Sequence, residues 1–223
     1  VTVNDLLDRG GVTAIAYDSR QVEPGAIFFA LRGVNADGAR FVPQAIANGA
    51  IAVVAETAAP AGTPVPWVQV TNARAAMAEA AAAFYRNPSE ELALVGITGT
   101  NGKTTTSYVL ASICEAAGIK CGRIGTIAYT VGGREVDASR TTPESPELQR
   151  MLRDMVGQGA GACAMEVSSH ALALRRVDSL RFAAGVFTNL TRDHLDFHGD
   201  MESYFVAKRR LFEILPDGAV GVI

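Results

Sequence analysis

Cysteine is scarce in this sequence: Cys114, Cys121 and Cys163 are the three in 223 residues, and no CxxC pair occurs. An odd number without that spacing suggests neither a disulfide framework nor a zinc knuckle. A reducing, cytoplasmic setting fits best. Long apolar runs are also missing. None approaches the ~20 residues needed to span a bilayer, and the opening Val1-Thr2-Val3-Asn4-Asp5 lacks the basic stretch of an export signal. The expected protein is soluble, not exported, and has no membrane partner. Charge of one sign is lacking too, since 20 Lys and Arg against 23 Asp and Glu leave a formal net charge of −3. That balance gives no reason to expect a nucleic-acid surface, so any anionic ligand must be held locally. Beyond a bias to alanine there is no internal repeat and no low-complexity segment.

What is present suffices for a core. With 48% hydrophobic residues, 19% charged residues and a mean hydropathy of +0.17, the composition excludes intrinsic disorder. A chain of this length hides about 70% of its unfolded surface. At about 150 residues per domain it makes one large domain or two modest ones.

The apolar runs Ala26–Leu31, Ala50–Ala55 and Trp67–Val70 read as strands, with a helix around Val42–Asn48. Ala73–Arg86 reads as a helix opened by Asn72 and stopped at Asn87-Pro88-Ser89, because proline disfavours helix at the residue before it. A domain boundary is placed there, giving residues 1–88 and 89–223. The second part alternates strand Ala93–Thr98, helix Thr104–Ala117, strand Lys120–Ile124, a hairpin around Gly132-Gly133, helix Pro146–Gln158, strands Gly161–Val167 and Phe182–Thr188, and helix Met201–Leu215. Such alternation predicts an α/β fold with a mainly parallel sheet. Ala219–Ile223 reads as the opening of another buried strand, so the chain is expected to stop partway through a domain.

Gly96-Ile97-Thr98-Gly99-Thr100-Asn101-Gly102-Lys103-Thr104-Thr105 follows a predicted strand and opens a predicted helix. The strict G-x4-G-K-[ST] spacing fails, yet its mechanics survive. Gly99 and Gly102 let backbone amides approach phosphate oxygens, Lys103 can reach the terminal phosphates, and Thr104 offers a hydroxyl to Mg²⁺. Residues Gly99 to Thr105 are the candidate ATP-binding segment.

All three histidines, His170, His194 and His198, fall in one short stretch. Glu166 ends one predicted strand and Asp193-His194 follows another, at the carboxyl ends where ligands sit in an open parallel sheet. Glu166 and His194 are therefore candidate Mg²⁺ ligands, His194 the less expected because Mg²⁺ prefers oxygen. His170 reads as a helix-start residue and His198 as a loop residue. On the last predicted helix, Met201, Tyr204, Phe205, Lys208, Phe212 and Leu215 keep helical spacing, which puts Lys208 on the buried face and turns Arg209 and Arg210 towards the flank and solvent. A snorkelling lysine is the alternative.

Joined to Thr141-Thr142-Pro143-Glu144, to Glu166-Val167-Ser168-Ser169-His170-Ala171-Leu172 and to the stretch from Asn189 to Gly199, the loop resembles the Mur ligases. Asp18-Ser19-Arg20 and Gly25–Gly38 resemble the UDP-binding N-terminal domain of that family. The resemblance implies a UDP-sugar-binding domain over 1–88 and an incomplete central ATP-binding domain over 89–223. The missing part would be the domain that selects the incoming amino acid, so this stretch alone is expected to be inactive.

The implied activity is that of a carbon–nitrogen ligase of peptidoglycan synthesis. The D-glutamyl carboxylate of UDP-MurNAc-L-Ala-D-Glu would be phosphorylated by ATP, and a diamino acid, meso-diaminopimelate or L-lysine, would attack the acyl phosphate. On the same resemblance Lys103 and Lys208 are catalytic, and Lys208 carries a carbamate (N6-carboxylysine). Thr104, Glu166, His194 and carbamylated Lys208 would hold two Mg²⁺ ions, while Ser19, Thr141, Thr142, Ser168 and Arg176 would hold the UDP-MurNAc-dipeptide. Leu174 departs from the glutamine common in the family. A monomer is expected. Folylpolyglutamate synthetase, a simple P-loop NTPase and a nucleotide-binding module without ligase activity remain as alternatives.

Overall fold

The computed structural model describes residues 2–8, 10–33, 37–131 and 134–223. Two compact units divide the chain, Val1–Phe84 and Tyr85–Ile223. The expected hairpin turn at Gly132-Gly133 and part of the expected Gly25–Gly38 stretch lie outside the described residues.

The first unit runs α1 (Val3–Asp8), β1 (Ala14–Ala16), β2 (Ala26–Ala30), α2 (Val42–Ala47), β3 (Ala52–Ala55), β4 (Trp67–Gln69) and α3 (Ala73–Phe84). The four strands pair in parallel in the order β1-β2-β3-β4. Every residue of β2 and β3 is buried, as parallel strands covered on both faces require. Ile27, Phe29 and Val54 pack with Leu6 and Met77 on one face, and Phe28 and Val53 pack with Val42 and Ala45 on the other. The alanines of α3 favour helix and are small enough to lie flat on the sheet. Asn72 caps this helix through its Oδ1, which accepts the Ala75 amide at 2.8 Å. α1 and β1 escape a reading by pattern because each is too short to show a period.

After α3 the chain turns at Arg86 and Asn87, both with positive φ, and Pro88 starts a 3-10 turn. The second unit contains β5 (Ala93–Thr98), α4 (Lys103–Ala116), β6 (Cys121–Ile124), β7 (Ala128–Val131), β8 (Arg134–Asp137), α5 (Ser145–Gly157), β9 (Ala162–Glu166), α6 (Ser169–Ala173), β10 (Ala184–Phe187), α7 (Leu195–His198), α8 (Met201–Glu213) and β11 (Val220–Val222). Its sheet has the order β11-β10-β5-β9-β6-β7-β8. The first five strands are parallel, and β7 and β8 add an antiparallel extension. Arg123 of β6 fastens that extension, donating to Thr130 Oγ1 at 3.1 Å and Glu135 Oε1 at 2.9 Å.

Alternation on β5 distributes the core. Ile97 faces α4, beside Leu110 and Ala111, whereas Leu94 faces the layer of Leu148, Leu152, Phe182 and Leu211 from α5, α8 and the loop between α6 and β10. Gly96 lies on that second face, where a Cβ would come within 2.8 Å of Phe182 Cε1 and 3.0 Å of Leu211 Cδ1. Only hydrogen fits there.

Three expectations are corrected. β11 forms, but its residues are exposed rather than buried, because it lies at the sheet's edge. The buried stripe of α8 is Tyr204, Ala207, Lys208 and Leu211, while Met201, Phe205 and Phe212 sit half-buried on its margins. Arg210 does not simply face solvent, since its guanidinium bonds both carboxylate oxygens of Asp178 at 2.8 and 2.9 Å.

Burial raises the thiol pKa of Cys121 to about 11 and pushes Cys163 up as well. Since the thiolate is the reactive form, burial keeps Cys121 and Cys163 as unreactive thiols near neutral pH. We expect thiol titration of the native protein to find Cys114 reacting first, and Cys121 and Cys163 only with unfolding. Fast modification of all three without denaturant contradicts this packing.

Candidate functional site

β5 delivers the chain to the carboxyl edge of the sheet, where it turns through Gly99 (φ 139°) and Gly102 (φ 85°) into α4. A Cβ on Gly99 would overlap Thr188 Oγ1 and lie 3.0 Å from the Asn189 amide nitrogen. The close approach is used. Asn189 O accepts the Thr100 amide at 2.9 Å, Asn189 Oδ1 accepts the Asn101 amide at 3.1 Å, and Thr188 Oγ1 donates to Asn101 O at 2.6 Å. Thr191 donates its amide to Thr100 Oγ1 at 3.0 Å. The amides left for an anion are thus those opening α4, around Lys103, Thr104 and Thr105, rather than those of Thr100 and Asn101. A helix start leaves its first amides without intrahelical partners and carries partial positive charge.

Lys103 folds back over the loop, donating to Gly99 O at 2.8 Å and Thr100 O at 2.9 Å. Burial lowers its pKa, and the nearby carboxylates of Glu166 and Asp193 act in the opposite direction. Lys208, only 1% exposed, crosses from α8 and donates to the same Gly99 oxygen at 2.7 Å. Its pKa falls to about 7, through burial first and then through the charge of Lys103.

Glu166 ends β9 and is 1% exposed. The Thr126 amide donates to its Oε1 at 3.1 Å and the Thr126 hydroxyl to its Oε2 at 2.9 Å. Thr141 Oγ1 lies 3.1 Å from that hydroxyl. Thr142 donates its hydroxyl to Glu166 O at 2.9 Å and accepts the Ser168 amide at 3.1 Å. Arg176 reaches in from behind α6, donating to Thr142 O at 3.0 Å and pairing with Glu144 at 2.9 Å. One bonded set therefore joins Thr141, Thr142, Glu166, Ser168 and Arg176. Leu174, the C-cap residue of α6, is half-buried beside it.

The histidines gather at the start of α6 and in α7. His170 and His194 meet edge to face with ring centres 4.8 Å apart, and His198 lies 5.5 Å from His170 and 5.2 Å from Tyr204. His170 sits in the first turn of α6. His198 is not in a loop: it ends α7, and its Nε2 lies 2.9 Å from Ser169 Oγ. Burial lowers the pKa of both His170 and His198. His194 takes the left-handed conformation and turns its ring to Asp193, 3.5 Å away.

Among the described residues no three His, Cys, Asp or Glu side chains converge as a metal cluster. The donor chemistry still fits Mg²⁺, which takes few protein ligands and keeps water or phosphate oxygens. Glu166 offers carboxylate oxygens with lone pairs beyond those Thr126 uses, and Gly125 leaves their space open, since a Cβ there would overlap Glu166 Oε1. Thr104 adds a hydroxyl on the first turn of α4.

Ser19 belongs to the first unit. Its side chain is 5% exposed and donates to Gln44 Oε1 at 2.8 Å, while Asn48 Nδ2 donates to its carbonyl at 2.8 Å. Asp18 caps this turn, and its hydrogen bond with Arg20 holds its carboxyl below the usual range.

Residues 97–223 match the Mur ligase middle domain, and residues 11–85 match the Mur ligase family catalytic domain. The chain belongs to the Mur ligase family. Among relatives of this Mur ligase chain, a UDP-N-acetylmuramoyl-L-alanyl-D-glutamate--2,6-diaminopimelate ligase of Solibacter usitatus is 54% identical over 91% of the chain and 41% of its own length. A protein of the same name from Geobacter sulfurreducens is 53% identical, over 97% of the chain and 44% of its own length. A solved structure under that name superposes with a TM-score of 0.78 at 32% identity, covering 95% of this chain and 45% of the other. The chain thus spans less than half of the relatives it matches. The MurF ligase of Thermotoga maritima in complex with ADP shares the fold, with a TM-score of 0.62 at 22% identity.

Some supporting residues of the candidate site escape a reading by motif. Thr126 lies in a connection with no period, and Tyr204 read as a core residue; Glu144 stood in the family motif without a role of its own. Asn189 entered only as the start of a family motif, with no role read for it. Asn189→Ala removes two side-chain bonds to Asn101, at 3.1 Å each. At about 1 kcal/mol per bond, we expect a loss of roughly 1–2 kcal/mol and faster hydrogen exchange at the Asn101 amide. Unchanged exchange would show that the loop keeps its shape without that side chain.

Proposed function

We propose that this chain supplies the UDP-substrate and ATP-binding parts of a cytoplasmic ligase. The whole protein would join 2,6-diaminopimelate to UDP-MurNAc-L-Ala-D-Glu at the expense of ATP, residues 1–88 forming the uridine-side domain and 89–223 the ATP-binding one. The observation that carries this reading is the shared use of Glu166. Its carboxylate is bonded through Thr126 towards Thr141, and its carbonyl through Thr142 to Ser168 and Arg176. A candidate metal ligand and a candidate carboxylate-holding set are thereby built as one object beside the glycine loop. The names of the relatives at 54% and 53% identity support the choice of substrates. A folylpolyglutamate synthetase or a plain P-loop enzyme would leave the first unit, which also matches the family, without a role.

In this reading the amides that open α4 and the Lys103 ammonium hold the nucleotide phosphates. Lys103 leaves the loop carbonyls for them. Bound Mg²⁺ supplies charge neutralisation where two anions must meet, and Thr104, Glu166 and His194 would hold it. Arg176 and the Thr142–Ser168 pair orient the dipeptide carboxylate, with Ser19 on the uridine side. A carbamate on Lys208 gives an anionic oxygen ligand in place of a buried ammonium. The free thiols of Cys114, Cys121 and Cys163 suit a reducing compartment.

The test is product formation by the full-length protein from UDP-MurNAc-L-Ala-D-Glu, ATP and Mg²⁺ with diaminopimelate or lysine as acceptor. Tripeptide with diaminopimelate is expected; ATP hydrolysis indifferent to the UDP substrate would refute the ligase assignment. Lys103→Ala should lower kcat by about 10³-fold, the size of effect seen when a transition-state charge contact is removed, with UDP-substrate affinity within about twofold. Near-normal turnover in that variant would end the role of Lys103.

A further inference from the structure

Thr98, the last residue of β5, is completely buried, and among the described residues its hydroxyl has no hydrogen-bond partner. A buried hydroxyl left unmatched is costly, so the site must gain something from it.

Its surroundings are fixed by register. Gly96 and Thr98 share the face of β5 that α8 covers, because a Cβ on Gly96 would meet Leu211 of α8 and successive strand residues alternate faces. Thr98 lies two residues nearer the carboxyl edge than Gly96, and Lys208 lies one helical turn from Leu211. At that level Lys208 crosses to Gly99, the residue after Thr98, and bonds its carbonyl at 2.7 Å. Phe187, the strand partner of Thr98, and Val167, whose amide bonds Ile97 O at the end of β5 and whose side chain lies in the core, give the hydroxyl nothing polar on the sheet. The Tyr204 ring, 4.5 Å from Lys208 Nζ, closes another side.

We propose that Thr98 is the positioning residue that holds a carbamate on Lys208, its hydroxyl donating to one carbamate oxygen. This rests on the reading of Lys208 as a carbamylated lysine. In that step the lone pair of the unprotonated amine attacks the carbon of CO2. An N–C bond forms, a C–O π pair moves onto oxygen, and one nitrogen proton passes to solvent. Nζ keeps one hydrogen, enough to retain its bond to Gly99 O. The new carboxylate needs a donor whose bonds are not already used; the Tyr204 and Thr100 hydroxyls are bonded to each other at 3.2 Å, whereas Thr98 brings an unused one to that level. Lys103, bonded to the same Gly99 oxygen at 2.8 Å, supplies the balancing positive charge.

The proposal predicts opposite effects of one substitution. Thr98→Val keeps the shape and removes only the unmatched hydroxyl, so in CO2-free buffer it should leave the thermal midpoint unchanged or raise it. The same change should weaken carbamylation. Full-length protein is titrated with ¹³C-bicarbonate at fixed pH, and the carbamate ¹³C resonance is assigned by its loss in Lys208→Met. We expect Thr98→Val to need about tenfold more bicarbonate for half-occupancy, as for loss of a hydrogen bond to a charged group, and Thr98→Ser to return within about twofold of the parent. Equal midpoints in parent and Thr98→Val overturn the role of Thr98 while leaving the carbamate standing. A parent protein with no resonance dependent on Lys208 overturns the carbamate reading itself. If Thr98→Val proves unstable without CO2, the hydroxyl has a structural partner and the proposal falls; Thr98→Ser then measures what that partner is worth.

Discussion

One carbonyl oxygen, that of Gly99, accepts the ammonium groups of both Lys103 and Lys208, at 2.8 and 2.7 Å. Two like charges converge on one atom in a buried place; burial lowers the pKa of each, and for Lys208 the charge of Lys103 lowers it further, to about 7. Such an arrangement persists only if the surroundings hold it from outside. The carboxylates of Glu166 and Asp193 provide part of that support by acting on Lys103. The rest is mechanical, since Lys208 is carried on a helix packed over β5 through Leu211, and Lys103 begins a helix that directly follows the loop.

The loop is held in turn by the segment after β10. Because β10 pairs with β5 in parallel, in register Phe187 to Thr98, the chain leaving β10 emerges level with the chain leaving β5. Thr188, Asn189 and Thr191 are then in reach of Thr100 and Asn101 without a long side chain. The carboxyl edge of a parallel sheet is a common place for ligands because neighbouring strands end there together. Here the neighbour also spends its own polar groups on fixing the loop, which leaves the amides opening α4 as the free donors. The exclusion of side chains at Gly96 and Gly99 serves the same end from two directions. One lets α8 settle onto the strand, and the other lets the β10 exit settle onto the loop.

Long periodic elements were legible from the sequence. β5, α4, α5 and α8 fall within a few residues of their predicted bounds, because apolar period and end signals agree in each. The glycine loop, Glu166 and Lys208 could be singled out for the same reason, each standing at a recognisable end or face. The start of α6 was read at His170, but α7, four residues long, was not legible, and with α7 unseen His198 was misplaced into a loop. Thr126 was invisible because its function is to bond Glu166 across 40 positions of sequence, and no local pattern encodes such a distance. Arg210 was placed on the flank and solvent side without its partner, because periodicity reports a helix's own faces and not the carboxylate of Asp178 beside it.

The stripe of α8 shows why a charged residue can sit where the pattern calls for an apolar one. Tyr204, Ala207 and Leu211 provide enough contact to seat the helix, and Lys208 between them contributes a stem of methylenes to the same surface. Its head is then committed to whatever lies at the edge of β5. A leucine at that position would pack as well and leave the Gly99 carbonyl with one donor, so packing alone does not explain the lysine. The cost of burying its charge falls if the amine is neutral or converted to a group that a metal ion and a hydroxyl can satisfy. The unmatched Thr98 hydroxyl and the buried ammonium of Lys208 are then two halves of one requirement. Each is unfavourable alone, and both are relieved by the same added carboxylate.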